Sequence, residues 1–381
     1  MAQTIYLDHN ATTPTLPEVI EEVAKVMRDC FGNPGSRHRE GRKARQVLEE
    51  CRESIASRLG AFPSELIFTS GGTESNNLAM QGWLAGAKPD GQAGSSIVIS
   101  PGEHPSIEQV AQSLAMQGWR LEKLAVDPCG RLQYDSFPVD AKLASIILAH
   151  NETGVIQDVR PLSKICQTRK IPFHLDAVQA VGKIPVHFRS LGAWSLSFGA
   201  HKFHGPRGIG GLLVKEGTLL TPVLRGGHQE KERRAGTEPV ALIAGMALAL
   251  ELWQQRQAWH SVRLEQLRDH FQTVLCSRCS PAVVIGSEAT RLPNTLNISF
   301  PGVNGEALLV ALDLEGIACS LGTTCASGAT EPAPILVAMG LPADLYRSAV
   351  RFSLSFLNTH AEVEEAADRI AKVVERLRKT V

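Results

Sequence analysis

Two residues at the ends of apolar runs carry the first chemical signal. Asp176 closes the run IPFHLD, and Lys202 closes WSLSFGAHK. If both runs are strands of one sheet, a carboxylate and an amine project from the same edge, where open sheets bind their ligands. A carboxylate buried beside a pyridine-like nitrogen favours its protonated form, and an amine can bond an aldehyde carbon. That division of labour is the one pyridoxal phosphate requires. Taken singly, an Asp or a Lys at a strand end says little.

Gly71, Gly72 and Thr73 follow the run ELIFTS and precede a helical pattern. Two glycines allow close backbone approach, and the free N–H groups and dipole of a following helix favour an anion such as a phosphate. The plain alternative is a turn with Thr73 as helix N-cap. Neither a G-x-G-x-x-G order nor a G-K-[ST] ending is present, so this is not a dinucleotide fingerprint or a P-loop. GPRGIGG at 205–211 is explained by a turn into a strand. His104, in PGEHPSI, could lie on a ring face, and His201 could donate to phosphate; each suits an ordinary core or surface histidine equally well. Spacing leaves open a zinc site from His104, His201 and His204, but no metal is expected.

Cys325 lies in the polar loop GTTCASGATEP, a setting for a nucleophilic thiol, since only a thiolate attacks. A buried structural thiol is the alternative. Cys319, in the apolar LEGIACS context, reads as a core cysteine, and the lone pair Cys276 and Cys279 reads as packing rather than as a metal or redox site. The 8 cysteines in 381 residues are too sparse for a disulfide scaffold.

These candidates must be positioned by the elements between them. The runs 65–70, 95–100, 143–150, 171–176 and 194–202 read as strands, alternating with helices such as Ser106–Gln117 and the crossover PLSKICQTRK with Pro161 in its first turn. This is an α/β pattern with a large, mostly parallel sheet. Residues 240–280 turn helical, and TLNISF, a helix at 305–315 and VRFSLSF suggest a smaller α+β domain. The expected division is a PLP-binding domain over 1–255, whose N-terminal segment packs with either unit, and a small domain over 256–381 carrying the Cys325 loop.

Lys plus Arg and Asp plus Glu each total 39, giving zero formal net charge. That balance argues against nucleic-acid and anionic-membrane partners. The start, MAQTIYLDHNATTP, is no secretory signal, and the most apolar run is about half a membrane span. A cytoplasmic location is expected.

Together, YLDHNATTP, FGNPGSRH, IFTSGGTESNN, PGEHPSI, HNETGVIQD, HLDAVQAVGK, SFGAHKFHGPRGIG, RAGTEP, GTTCASGATEP and RFSLSF are distinctive in this order. Over nearly its whole length the chain resembles the cysteine desulfurases of the NifS and IscS type, within the fold-type I PLP enzymes. The resemblance implies that Lys202 carries the cofactor and Asp176 partners its pyridine nitrogen. It makes His104 the ring-stacking residue and proton handler, and Gln179 the donor to the phenolic oxygen. Gly72, Thr73 and His201 match the phosphate cup, with Thr237 supplied to that cup by the other subunit of a homodimer with shared active sites. Asn151 and Arg351 match the groups around the substrate, Arg351 clamping its carboxylate.

The implied reaction converts L-cysteine to L-alanine and leaves a persulfide on Cys325, for delivery to a sulfur-acceptor protein in iron–sulfur cluster, thio-cofactor or tRNA synthesis. Selenocysteine lyase, other C–S lyase or aminotransferase chemistry would keep Lys202 and Asp176 without needing Cys325. A non-enzymatic sulfur-assembly role does not explain the Lys, Asp, His and Cys set. Two departures from the family pattern stand out: Gly199 replaces a common serine, removing one hydroxyl donor to the phosphate, and GTTC replaces the more usual GSAC. Weaker cofactor retention is expected from the first.

Overall fold

The computed structural model describes residues 4–87, 95–321 and 332–379. Its strands, in chain order, are β1 (Ile5–Tyr6), β2 (Leu66–Thr69), β3 (Ser96–Ile99), β4 (Arg120–Lys123), β5 (Ala141–Ile147), β6 (Phe173–Asp176), β7 (Ser195–Gly199), β8 (Gly210–Val214), β9 (Val283–Val284), β10 (Thr295–Ser299), β11 (Ile317–Ala318) and β12 (Ala349–Ser353). Seven of them form one sheet in the order β2-β8-β7-β6-β5-β3-β4. β3 to β7 pair in parallel, whereas β8 is antiparallel to both β2 and β7, so β2 points the same way as β7. Only β8 runs against the rest. Strands β2, β3, β6, β7 and β8 are buried along their whole length, as strands covered by helices on both faces are. The polar edge strand β4, RLEK, carries no apolar signal, and its charges suit an edge.

The parallel direction brings the ends of β2, β3, β5, β6 and β7 to one edge. Short helices return the chain behind it. The crossover Arg160–Arg169 starts with Pro161 in its first turn and ends on Lys170 in a left-handed conformation (φ 55°). Helix Val240–Gln255, apolar nearly all round, packs between Pro17–Asp29 and Arg39–Arg58. Among the described residues no helix is long and apolar enough to cross a membrane.

A second core gathers around the antiparallel sheet β12-β10-β9 and the helices Gln257–Arg278, Gly305–Leu314 and His360–Arg378. Phe271 meets Phe352 edge-on at 5.3 Å in its centre, so Phe271→Ala should cost about 3–5 kcal/mol. Ile5 and Leu7 belong to this core, and β1 pairs in parallel with β11. The N-terminal segment is therefore anchored on the small unit before it crosses, at Asn10 to Pro14, to the open edge of the large sheet.

Candidate active site

A cavity of about 280 Å³ opens at that edge, lined by Gly72, Thr73, His104, Asn151, Asp176, Gln179, His201 and Lys202 among others. All but Thr237 and Arg351 of the expected cofactor and substrate residues within the described part of the chain share its wall. Cys325 lies outside the described residues. Thr237 is exposed and off the wall of its own chain's cavity.

Asp176 ends β6 and is buried, yet among the described residues its carboxylate meets only neutral donors. Asn76 Nδ2 donates to Oδ2 at 2.7 Å and the Val178 N–H to Oδ1 at 3.0 Å. The Asn76 amide is itself fixed, because its Oδ1 accepts from Ser197 Oγ at 2.5 Å and from His174 Nε2 at 3.1 Å. Burial pushes the His174 pKa down to about 3, so this ring is neutral and contributes hydrogen bonds without charge. Neither of the carboxylate's own partners brings a counter-charge to it.

Lys202 does not sit on the strand; it closes a 3₁₀ turn, Ala200–Lys202, immediately after β7. Its Nζ donates to the carbonyls of Asn10 (2.7 Å) and Ala11 (2.9 Å). Burial first, and then the Arg351 charge, lower its pKa to about 8 against the opposing carboxylates of Asp176, Asp8 and Glu152. A sizeable neutral fraction is available near neutral pH, as an amine that attacks a carbonyl or takes a proton requires.

The helix Gly72–Leu84 points its N-terminus at the cavity, with Gly71 (φ 155°) as its N-cap. Thr73 is inside the first turn, so the reading of Thr73 as N-cap is corrected: the turn passes through a backbone conformation suited to glycine. A Cβ at Gly72 would lie 2.6 Å from Val178 Cγ2, so the close packing also excludes a side chain there. His201 bonds Thr12 Oγ1 at 3.2 Å, and burial followed by Lys202 lowers its pKa to about 4. His204 turns to Pro14 O and Ser355 Oγ instead, so the H-x-x-H pair does not converge.

His104 caps the helix Pro105–Met116, its Nδ1 accepting from the Ser106 N–H at 3.2 Å. With Nδ1 occupied as acceptor, the neutral ring carries its proton on Nε2. Solvent reaches the ring, but the protein crowded around it lowers its pKa, Asp176 opposing and Lys202 assisting. The preceding Glu103 is buried, and its Oε1 accepts the Ile147 N–H at 2.7 Å, tying this loop to the end of β5.

Arg351 departs from the sequence expectation of a clamp waiting for a substrate carboxylate. It stands on β12, off the cavity wall, and is already gripped: Nη1 reaches Glu152 Oε1 at 2.6 Å and Nη2 reaches Asp8 Oδ1 at 2.7 Å. Its Nε is buried without a partner among the described residues. Asn151, on the wall, donates to Glu152 and offers its carbonyl to Arg351 at 3.4 Å. Sequence reasoning missed Asp8, Asn10, Asn76, Glu152 and Lys183. All five lie in blocks that were singled out for a neighbour, which was the available signal.

The other cysteines behave as packing thiols. Burial pushes the Cys319 thiol to about 12 and Cys279 to about 11, and Cys276 and Cys279 are unbridged. On the small unit, His270, His360 and Glu364 bring ligand atoms within 4.8 Å of one another. The Glu364 carboxylate there is spent on Arg278 and on His270 itself.

Comparison with known proteins extends these observations over the whole chain. The family model described as aminotransferase class-V matches residues 5–365. The cysteine desulfurase IscS of Dictyoglomus turgidum is 41% identical, over 99% of this chain and 96% of the relative. The chain belongs to the class-V aminotransferases, among the cysteine desulfurases of NifS and IscS type. The cysteine desulfurase NifS of Azotobacter vinelandii is 37% identical over 98% of this chain and 93% of its own. A solved NifS-like protein superposes with a TM-score of 0.90 at 33% identity, covering 98% of this chain and 100% of that one. SspA, solved in complex with cysteine, gives 0.80 at 28% identity over 92% and 99%.

Members of this family use pyridoxal phosphate, and the residues here fit it. The cavity offers an uncompensated carboxylate, an amine of lowered pKa held only by carbonyls, and a glycine-built helix N-terminus. Gly199, the departure from the family pattern, has an ordinary extended backbone (φ −141°), and a Cβ there would lie 3.4 Å from Gly72 N. A serine fits, and its hydroxyl would stand beside the helix N-terminus.

Proposed function

We propose that this chain is a cysteine desulfurase, converting L-cysteine to L-alanine and leaving the sulfur as a persulfide on Cys325. The observation that carries the proposal is the convergence of Lys202, Asp176, His104 and Gln179 on one cavity, in a chain of the desulfurase family. When bound, pyridoxal phosphate supplies an electron sink for charge left on an amino acid's Cα. Asp176, held by neutral donors, would favour the protonated pyridine nitrogen, and Gly72, Thr73 and His201 would hold the phosphate.

Lys202 would be the attachment point for the cofactor and, as a free amine, the base that takes the Cα proton; its pKa near 8 suits both duties. Arg351 draws the substrate carboxylate, which must compete with Asp8 and Glu152 for the guanidinium. The unpartnered Nε is the donor it can win without displacing either. His104, with its proton on Nε2 when neutral, acts first as a proton donor. The Cys325 thiolate attacks the substrate's sulfur, the bond from that sulfur to Cβ breaks, and Cβ gains a proton to give alanine. Atoms balance: one cysteine and one thiol become one alanine and one persulfide.

The homodimer with shared sites belongs to the same proposal. An exposed Thr237, off its own chain's cavity, is what a residue given to a partner's phosphate cup would look like. A cytoplasmic setting and delivery to an acceptor protein complete the reading. The test is alanine formation by cofactor-loaded protein: Lys202→Ala abolishes it, and Cys325→Ser abolishes sulfur transfer. Alanine formed at the wild-type rate by Lys202→Ala would refute the scheme.

A further inference from the structure

Lys183 is a buried lysine that the mechanism above does not use. It follows Gln179 by four residues, in the turns after β6, and lies off the cavity wall. Its Nζ donates to Asn10 Oδ1 at 2.6 Å and to Gln179 Oε1, and no acidic side chain pairs with it among the described residues. Burial, with Lys202 and Arg351 nearby, pushes its pKa well below the usual lysine value. An amine in such a place costs stability that an apolar chain of equal length would not. Core packing therefore does not explain it.

The hydrogen bonds do. An amide's two ends are alike in shape and opposite in sense, so its orientation is decided by its partners. Asn10 is fixed independently: its Nδ2 donates to Thr295 Oγ1 and the Asn151 carbonyl, and its Oδ1 also accepts from Asn294. Lys183 must donate to that Oδ1, and its second proton goes to Gln179 Oε1. Two protons suffice for both bonds, so the orientation holds whether the amine is charged or neutral. Gln179 Nε2 is thereby turned to the Asn10 carbonyl, at 2.9 Å, the same carbonyl that receives Lys202 Nζ.

We infer that Lys183 is a positioning residue that fixes the Gln179 amide with its N–H end toward the cofactor. This rests on reading Gln179 as the donor to the cofactor's phenolic oxygen. An inverted amide would set a lone pair against that oxygen. The Asn10 carbonyl imposes the same sense on Gln179, but it is shared with Lys202, whose bond to it changes when the cofactor attaches.

The test uses cofactor-loaded protein and reads the pH midpoint of the bound cofactor's visible absorption. Losing a donor to the phenolic oxygen makes the site's proton harder to remove, so Gln179→Leu should raise the midpoint by about one pH unit. Lys183→Met should raise it similarly, and the double variant no further than either single one. The Tm of Lys183→Met should match or exceed the wild type's, and kcat should fall about tenfold with KM for cysteine unchanged. Lys183→Leu serves if methionine does not fold. A shift in Gln179→Leu without one in Lys183→Met, or shifts that add in the double variant, overturns the inference alone. No shift in Gln179→Leu overturns the reading of Gln179, and the inference with it.

Discussion

On the large-sheet side of the cavity, ionisable groups rest on neutral partners: Asp176 on Asn76 and a backbone N–H, Lys202 on two carbonyls, Lys183 on two amides. On the side of β12, the cation Arg351 meets two carboxylates, Asp8 and Glu152, at 2.7 and 2.6 Å. Dipoles orient a charge without cancelling it, whereas a counter-ion cancels most of its field. The first side is therefore ready to act on a bound group as it stands. The second offers a substrate only the Nε that neither carboxylate holds; to take hold through its Nη atoms it must exchange partners, and burial raises the Glu152 pKa, Arg351 opposing, so that exchange is coupled to a carboxyl that is reluctant to stay charged.

The contrast breaks first at Lys202. Lys202→Ala should lower alanine formation by roughly 10³-fold or more, since attachment and proton transfer are both lost; a steady-state alanine assay reads it. Asp176→Asn keeps the shape and removes the charge, and kcat should fall by about 10²-fold with the cavity still able to take up cofactor. An equal kcat would mean that the uncompensated charge does nothing. Arg351→Lys tests the other side. A lysine cannot reproduce the guanidinium fork, so KM for cysteine should rise about tenfold while the cofactor's absorption is unchanged.

Two smaller effects sharpen the comparison. The rate of cofactor uptake by unloaded protein should rise with pH and level off near 8, because only the neutral Lys202 amine attacks and its pKa lies near 8. A rise continuing toward 10.5 would mean that burial does not depress the amine. Gly199→Ser should slow cofactor loss about fivefold, the worth of one hydrogen bond of about 1 kcal/mol. The space and backbone at Gly199 permit the serine, so unchanged retention would show that the missing hydroxyl is not what sets the cofactor's hold.

The two sides differ also in how far they could be read from the chain. Asp176 and Lys202 follow continuous apolar runs, and a parallel sheet delivers such ends to one edge; their meeting was legible before any coordinates. The glycine turn before Gly72 and the buried strands were legible for the same reason. Lys202 was placed one step too simply, because the 3₁₀ turn after β7 has no sequence signature of its own. The antiparallel direction of β8 was invisible, since burial patterns carry no sense of direction. Asp8 and Glu152 lie 144 positions apart in sequence and meet only through Arg351, some 200 positions further on, so no local pattern pairs them. Asn76 and Lys183 act on neighbours of the cofactor rather than on the cofactor, and residue type alone does not announce that.

The most direct test of the whole account is incubation of cofactor-loaded protein with L-cysteine, following alanine and the mass of the peptide containing Cys325. Alanine should form together with a gain of one sulfur on that peptide, and both should be lost in Lys202→Ala. Alanine with free sulfide and no sulfur on Cys325, or no alanine at all, would contradict it.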